Sequence, residues 1–156
     1  IPSGIPDTNI SIQYGVLAFI AAVFGPIAGF LAGIIGHFFI DFSFGWGIWW
    51  SWVIASSLFG CIMGFAASKM DIENGEFTKK DIIIFNVAQV VSHLLAWVGI
   101  APCLDILIYK EPANKVFIQG LTSAGINIVA TAVVGTLLCI AYAAAKPKKD
   151  SLKEEL

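Results

Sequence analysis

The sequence predicts an all-α integral membrane protein, a compact bundle of transmembrane helices. Three observations predict it. Of 156 residues, 58% are hydrophobic and only 13% are charged, whereas an average soluble domain is about 25% charged. Several segments are almost continuously apolar over the ~20 residues that a helix needs to span a bilayer core. Fifteen glycines and twelve phenylalanines suit helices packed inside lipid, where glycine is commoner than in soluble helices. The same composition argues against a soluble enzyme, a disordered chain and a nucleic-acid binder. A net charge of -2 supplies no basic field for nucleic acid.

The opening IPSGIPDTN reads as a loop, with two prolines, a glycine and an aspartate. The chain starts at Ile1 without a charged n-region, so it is expected to begin partway into a longer protein. Residues 12–40 form one apolar run in which only Gln13 and His37 are strongly polar. One straight helix of that length would reach ~43 Å, too long for a ~30 Å core without strong tilt. Gly25-Pro26 divides the run, and proline fits the first turn of a new helix. Two short helices are expected, about 11–24 and 26–42, with one kinked helix as the alternative.

A third span is expected over 48–68. The polar loop SKMDIENGEFTKKD follows, and Thr78 stands three residues before Asp81 in a capping-box pattern. The fourth helix is expected over about 79–100, stopping before Pro102. Residues 101–116 are mixed, with Asp105, Lys110, Glu111, Pro112 and Lys115. The fifth helix is expected over about 116–145, closing a single membrane domain over 1–145, with a tail over 146–156. Seven of the nine lysines lie in the 69–80 loop or that tail. The positive-inside rule places both in the cytoplasm and the N-terminal loop outside.

Cys61, Cys103 and Cys139 show no CxxC spacing, so they read as small apolar fillers rather than disulfide or zinc positions. Gly25, Gly29 and Gly33 form a doubled GxxxG, with Ala28, Ala32 and Gly36 as a second small row beside it. Ser56, Gly60 and Gly64 repeat the spacing in the third span. Such rows let helix backbones approach closely, either within this chain or against a second membrane subunit. Two parallel rows favour docking more than one row would.

Trp46, Trp49, Trp50 and Trp52 crowd the outer start of the third span. They suit an interfacial belt, and equally the stacking wall of a pocket. Polar side chains inside the spans are the sharpest clue, because lipid penalises them unless they face a cavity or a partner. Asn86, Gln89, His93 and Trp97 share one helical face, as do Gln119, Ser123, Asn127 and Thr131. His37 and Asp41 are one turn apart. Asn86 lies near the cytoplasmic end and reads as packing. The others can line one outward-facing pocket, with Asn9 in a loop that acts as a lid. Neutral amides, hydroxyls and rings suit a small polar heterocycle. No acid is expected deep within a span, no Walker A sequence is present, and His37 with Asp41 is too few ligands for a metal.

PSGIPDTNISIQY, FGPIAGFLAGIIGHFFID, WWSWVIASSLFG and APCLDILIYKEPANKVFIQG together resemble the substrate-binding S components of energy-coupling factor (ECF) vitamin transporters. More closely, they resemble the riboflavin-type bacterial family, some members of which are assigned to hydroxymethylpyrimidine. The resemblance covers roughly residues 2–150. It implies six helices in a bacterial cell membrane, an outward vitamin pocket and no catalysis by this chain. It also implies a membrane T subunit and two ABC-type ATPases, which bind the ATP and Mg, so no cofactor is expected here. The S component is expected to topple in the bilayer, with the row at Gly25, Gly29 and Gly33 matching the face toward the T subunit. Five helices are visible, and the first of the family's six is the one missing.

The function expected is therefore capture of a vitamin precursor from outside, hydroxymethylpyrimidine first and riboflavin second. The expected binding residues are Trp46, Trp49, His93, Trp97, Gln119, Ser123 and Asn127, with His37, Asp41 and Asn9 beside them. The competing readings are an ion-coupled secondary transporter of a small polar solute and a structural membrane subunit without a ligand.

Overall fold

The structure is a computed structural model that describes residues 11–45 and 47–146. The expectations placed on Asn9, on Trp46 and on the tail from Pro147 fall outside the described residues. Four long apolar helices build the bundle: α1 (Gln13–Phe44), α2 (Trp50–Ala67), α3 (Lys79–Tyr109) and α4 (Ala113–Ala145). Among the described residues there is no strand.

Helix α1 is not straight. Gly25 interrupts it at φ 84°, ψ -177°, a conformation that costs glycine nothing and strains other residues. A Cβ built on Gly29 would lie 2.7 Å from the Cβ of Ala21, yet eight residues of straight helix separate two positions by ~12 Å. The Tyr14 hydroxyl likewise lies 3.0 Å from His37. The chain therefore reverses at Gly25-Pro26, and arms 13–24 and 26–44 run antiparallel as the two short helices expected from the sequence.

The second arm and α2 meet backbone to backbone. A Cβ on Gly33 would lie 2.6 Å from the Ser56 carbonyl oxygen, and one on Gly60 would collide with the Gly29 carbonyl. Gly64 faces Pro26 in the same way. Small residues make this approach possible, and the long contact supplies dispersion where lipid gives no hydrophobic drive. For Gly29 and Gly33 the structure therefore shows internal packing rather than an open docking face. Ala32 also packs against the core.

After α2, a 3-10 turn (Ile72–Asn74) tucks the buried Ile72 under the bundle. The capping box then starts α3: the Thr78 backbone N–H donates to Asp81 Oδ2 at 2.8 Å, and the Asp81 N–H to Thr78 Oγ1 at 3.4 Å. Helix α3 does not stop before Pro102, as expected, but continues to Tyr109. Pro102 sits in the first turn of a short α-helical stretch, Ala101–Leu104, between π-helical stretches Leu94–Ile100 and Asp105–Tyr109. Wider π turns take up the missing proline N–H and its ring, which would kink a regular helix. Lys110, at φ 58°, ends the helix, and its N–H caps the Asp105 carbonyl. Helix α4 starts at Ala113, slightly earlier than expected, and carries a π-helical stretch of its own, Thr131–Gly135.

The bundle is dressed for lipid. Its exposed faces carry Ile83, Val87, Leu121, Val129 and Leu137, while its interior holds Tyr14, Phe59, Met63, Phe85 and Trp97 with many polar side chains.

Candidate binding site

Helices α3 and α4 pack antiparallel along a polar seam. Asn86 Nδ2 donates to Thr136 Oγ1 at 3.0 Å, Gln89 Nε2 to the Ile128 carbonyl at 3.3 Å, and His93 Nε2 meets Thr131 Oγ1 at 3.0 Å. Higher up, Gly120 lies so close that a Cβ there would collide with the Trp97 carbonyl.

At the centre, Trp97 is fully buried and donates its Nε1–H to His93 Nδ1 at 2.9 Å. Accepting that proton donor fixes the neutral tautomer of His93, with the hydrogen on Nε2 pointing at Thr131 Oγ1. Phe59 stacks on His93 at 4.3 Å, and Tyr14 meets His93 edge-on at 5.6 Å and Trp97 at 5.1 Å.

A second cluster adjoins the first. Tyr14 Oη, His37 Nδ1 and Ser56 Oγ lie within 2.7–3.0 Å of one another. His37 Nε2 faces Asp41 Oδ1 at 3.5 Å, and its ring stacks on Trp97 at 6.2 Å. Asp41 also accepts the Trp49 backbone N–H at 2.9 Å.

Asp105 anchors the end of the bundle where α2 begins and α3 finishes. It was expected in a mixed connecting segment, but it stands on α3 and only 1% of it is exposed. It accepts Trp49 Nε1–H at 2.7 Å, Trp52 Nε1–H at 2.8 Å and the Ser51 hydroxyl. Tyr109, one turn on, stacks with Trp49 at 4.4 Å.

Among the predicted residues, the structure brings His37, Asp41, Trp49, His93 and Trp97 into one connected network. Gln119, Ser123 and Asn127 are buried on the α4 face that also carries Thr131. Three buried polar atoms on α3 and α4 have no hydrogen-bond partner: Gln89 Oε1, Ser92 Oγ and Asn127 Oδ1. Partnerless buried polar atoms are rare in folded proteins and ask for a water or a ligand. Sequence reasoning missed Tyr14, Ser51, Ser56 and Asp105 as members of the network, and named Trp52 only within the tryptophan cluster. The one available signal for Asp105 was a lone acid inside the apolar run CLDILIY.

A profile described as "ECF-type riboflavin transporter, S component" matches residues 1–144. The chain belongs to the ECF-type riboflavin transporter S component family. Proteins named UPF0397 from Staphylococcus aureus are similar along its whole length. The one from strain MSSA476 is 47% identical over 155 residues, which is 99% of this chain and 84% of that protein. Those from strains MRSA252 and Newman are 48% and 46% identical, with the same coverage. No solved structure matches the chain. Membership makes this S component a multi-pass membrane protein and a vitamin-type substrate-binding subunit in a family of transporter parts rather than enzymes. S components of this family generally associate with a T subunit and ATPase subunits.

Proposed function

We propose that this S component captures a small aromatic heterocycle at the outer face, a hydroxymethylpyrimidine-like thiamine precursor ahead of riboflavin. It then reorients to hand the ligand to a T subunit, while two partner ATPases bind the ATP and Mg. The observation that carries this reading is one buried network of rings and neutral polar groups, Tyr14, His37, Ser56, His93, Trp97 and Thr131. It draws on all four helices. Rings supply stacking area, and hydroxyls, amides and imidazoles set the orientation of a ring's nitrogens and substituents. Gln89 Oε1, Ser92 Oγ and Asn127 Oδ1 add unused hydrogen-bonding capacity beside it.

The small set of neutral polar groups favours one small ring over a fused tricycle. Orientation follows from the lysines: Lys69, Lys79 and Lys80 lie in the α2–α3 loop, and the excess of lysine there favours the cytoplasm. Asp105 and the tryptophans then face outward, and the C-terminal tail is cytoplasmic.

Equilibrium binding of radiolabelled hydroxymethylpyrimidine and riboflavin to the purified protein tests the reading. Saturable binding of the pyrimidine, weakened in His93→Leu, is the expected result. Preferential binding of riboflavin reverses the ranking, and saturable binding of neither ligand rejects the proposal.

A further inference from the structure

We propose that Asp105 is the positioning residue of the binding site, holding the indoles of Trp49 and Trp52 as a fixed outer wall above Trp97 and His93. The proposal rests on the binding function given above, but its structural half can be tested without any ligand.

Both carboxylate oxygens of Asp105 are engaged. Oδ1 accepts Trp49 Nε1–H and the Ser51 hydroxyl, and Oδ2 accepts Trp52 Nε1–H. The three donors come from the start of α2 and the residue before it, whereas Asp105 stands near the outer end of α3. One side chain therefore ties two elements together at the mouth of the bundle. Three donors converge on this one buried carboxyl group, so the indoles lose most of their freedom to swing.

The consequence reaches the centre. Trp52 packs against Trp97 with centroids 5.1 Å apart, and Trp97 holds the His93 tautomer. Trp49 is pinned three ways: its backbone N–H on Asp41, its indole N–H on Asp105, and its ring on Tyr109. The chain thus connects Asp105 through Trp52 to Trp97 and His93. Asp105 itself is separated from His93 by these rings, so it acts through them. A site whose walls are held in place before the ligand arrives loses less freedom on binding.

Asp105→Asn is the informative variant, because it keeps the size but turns one acceptor oxygen into an NH2 group. That group cannot accept an indole N–H, so at least one tryptophan must let go. Wild type, Asp105→Asn and Asp105→Glu are labelled with 5-fluorotryptophan and compared by 19F NMR, with Trp49→Phe and Trp52→Phe assigning the two resonances. Affinity for radiolabelled hydroxymethylpyrimidine and melting temperature are measured on the same samples. The expected result for Asp105→Asn is a shift or broadening of the Trp49 or Trp52 resonance with a roughly tenfold or greater loss of affinity. Melting should fall by only a few degrees for the lost buried hydrogen bond, with the chain still folded at the assay temperature, and Asp105→Glu should recover part of the affinity. Unmoved indole resonances overturn the proposal, as does a fall in melting temperature with unchanged affinity of the folded fraction. If the resonances move but no version of the protein binds the pyrimidine, the positioning by Asp105 stands and the binding function fails. If Asp105→Asn does not fold, Trp52→Phe decides: it keeps a ring and removes the N–H, and unchanged affinity in it overturns the proposal.

Discussion

Replacing Gly60 by alanine adds a single methyl group at one of the tightest helix contacts in the bundle. Its Cβ would collide with the Gly29 carbonyl oxygen, and it would lie 2.6 Å from the Gly29 carbonyl carbon and 3.2 Å from its Cα. Every one of these atoms is backbone, so no side-chain rotation relieves the clash. The second arm of α1 must move off α2 by about 1 Å, since carbon and oxygen need a little over 3 Å. That movement also loosens the Gly33–Ser56 and Gly64–Pro26 contacts along the same interface. Overpacking of this kind costs about 1–3 kcal/mol, and the shared backbone contacts put Gly60→Ala in the upper half, about 2–3 kcal/mol. At 1.4 kcal/mol per factor of ten, the unfolded population rises about 30- to 150-fold. A chain of this size should lose about 5–10 °C in melting temperature. Gly125→Ala is the control, because nothing lies within 4 Å of the Cβ it would add. Alanine is also the better helix former by up to ~1 kcal/mol. Thermal melting of both variants in the same detergent, read by loss of the monodisperse peak on size exclusion, makes the comparison. Equal melting of Gly60→Ala and Gly125→Ala would refute the backbone-contact account of this interface.

Trp97→Phe removes the hydrogen bond that fixes His93 and leaves Nδ1 without its donor, a loss of about 1–3 kcal/mol. Titration calorimetry should show correspondingly weaker pyrimidine binding. Thr78→Ala deletes the cap of α3, far from the network. It should lower stability by about 1 kcal/mol in chemical denaturation while leaving affinity unchanged. Uptake by cells expressing the chain with a T subunit and two ATPases should cease when the ATPase Walker lysines are replaced, and should persist for minutes after a protonophore. The opposite pattern would favour the ion-coupled reading.

Much of the fold was legible because it follows from single-residue chemistry. Gly25-Pro26 announced a break that only a glycine conformation can make, and Thr78 with Asp81 announced a helix start. The apolar runs announced the spans. What misled was Pro102, read as a stop. A proline ends an α-helix by clashing one turn back, but the flanking π-helical stretches remove that clash, and no residue pattern in LLAWVGI advertises a π turn. Asp105 was lost to the site for the same reason, since the segment holding it was not read as helix. His93 and Trp97 were legible because both contacts lie on one helical face. The Tyr14–His37–Ser56 triangle was not, since it joins residues 19 to 42 positions apart that only the hairpin at Gly25 brings together. The glycine rows were legible as close-packing surfaces, but periodicity does not say which helix they meet. Here α2 supplies matching small residues at Ser56, Gly60 and Gly64, so Gly29 and Gly33 face inward.

The central claim, that the buried network receives a small heterocycle, is tested most directly by scintillation-proximity binding of tritiated hydroxymethylpyrimidine to the purified protein. The account predicts saturable binding at one ligand per chain, weakened at least tenfold by His93→Leu at unchanged folding. A signal that rises linearly with ligand and is indifferent to His93 would contradict it.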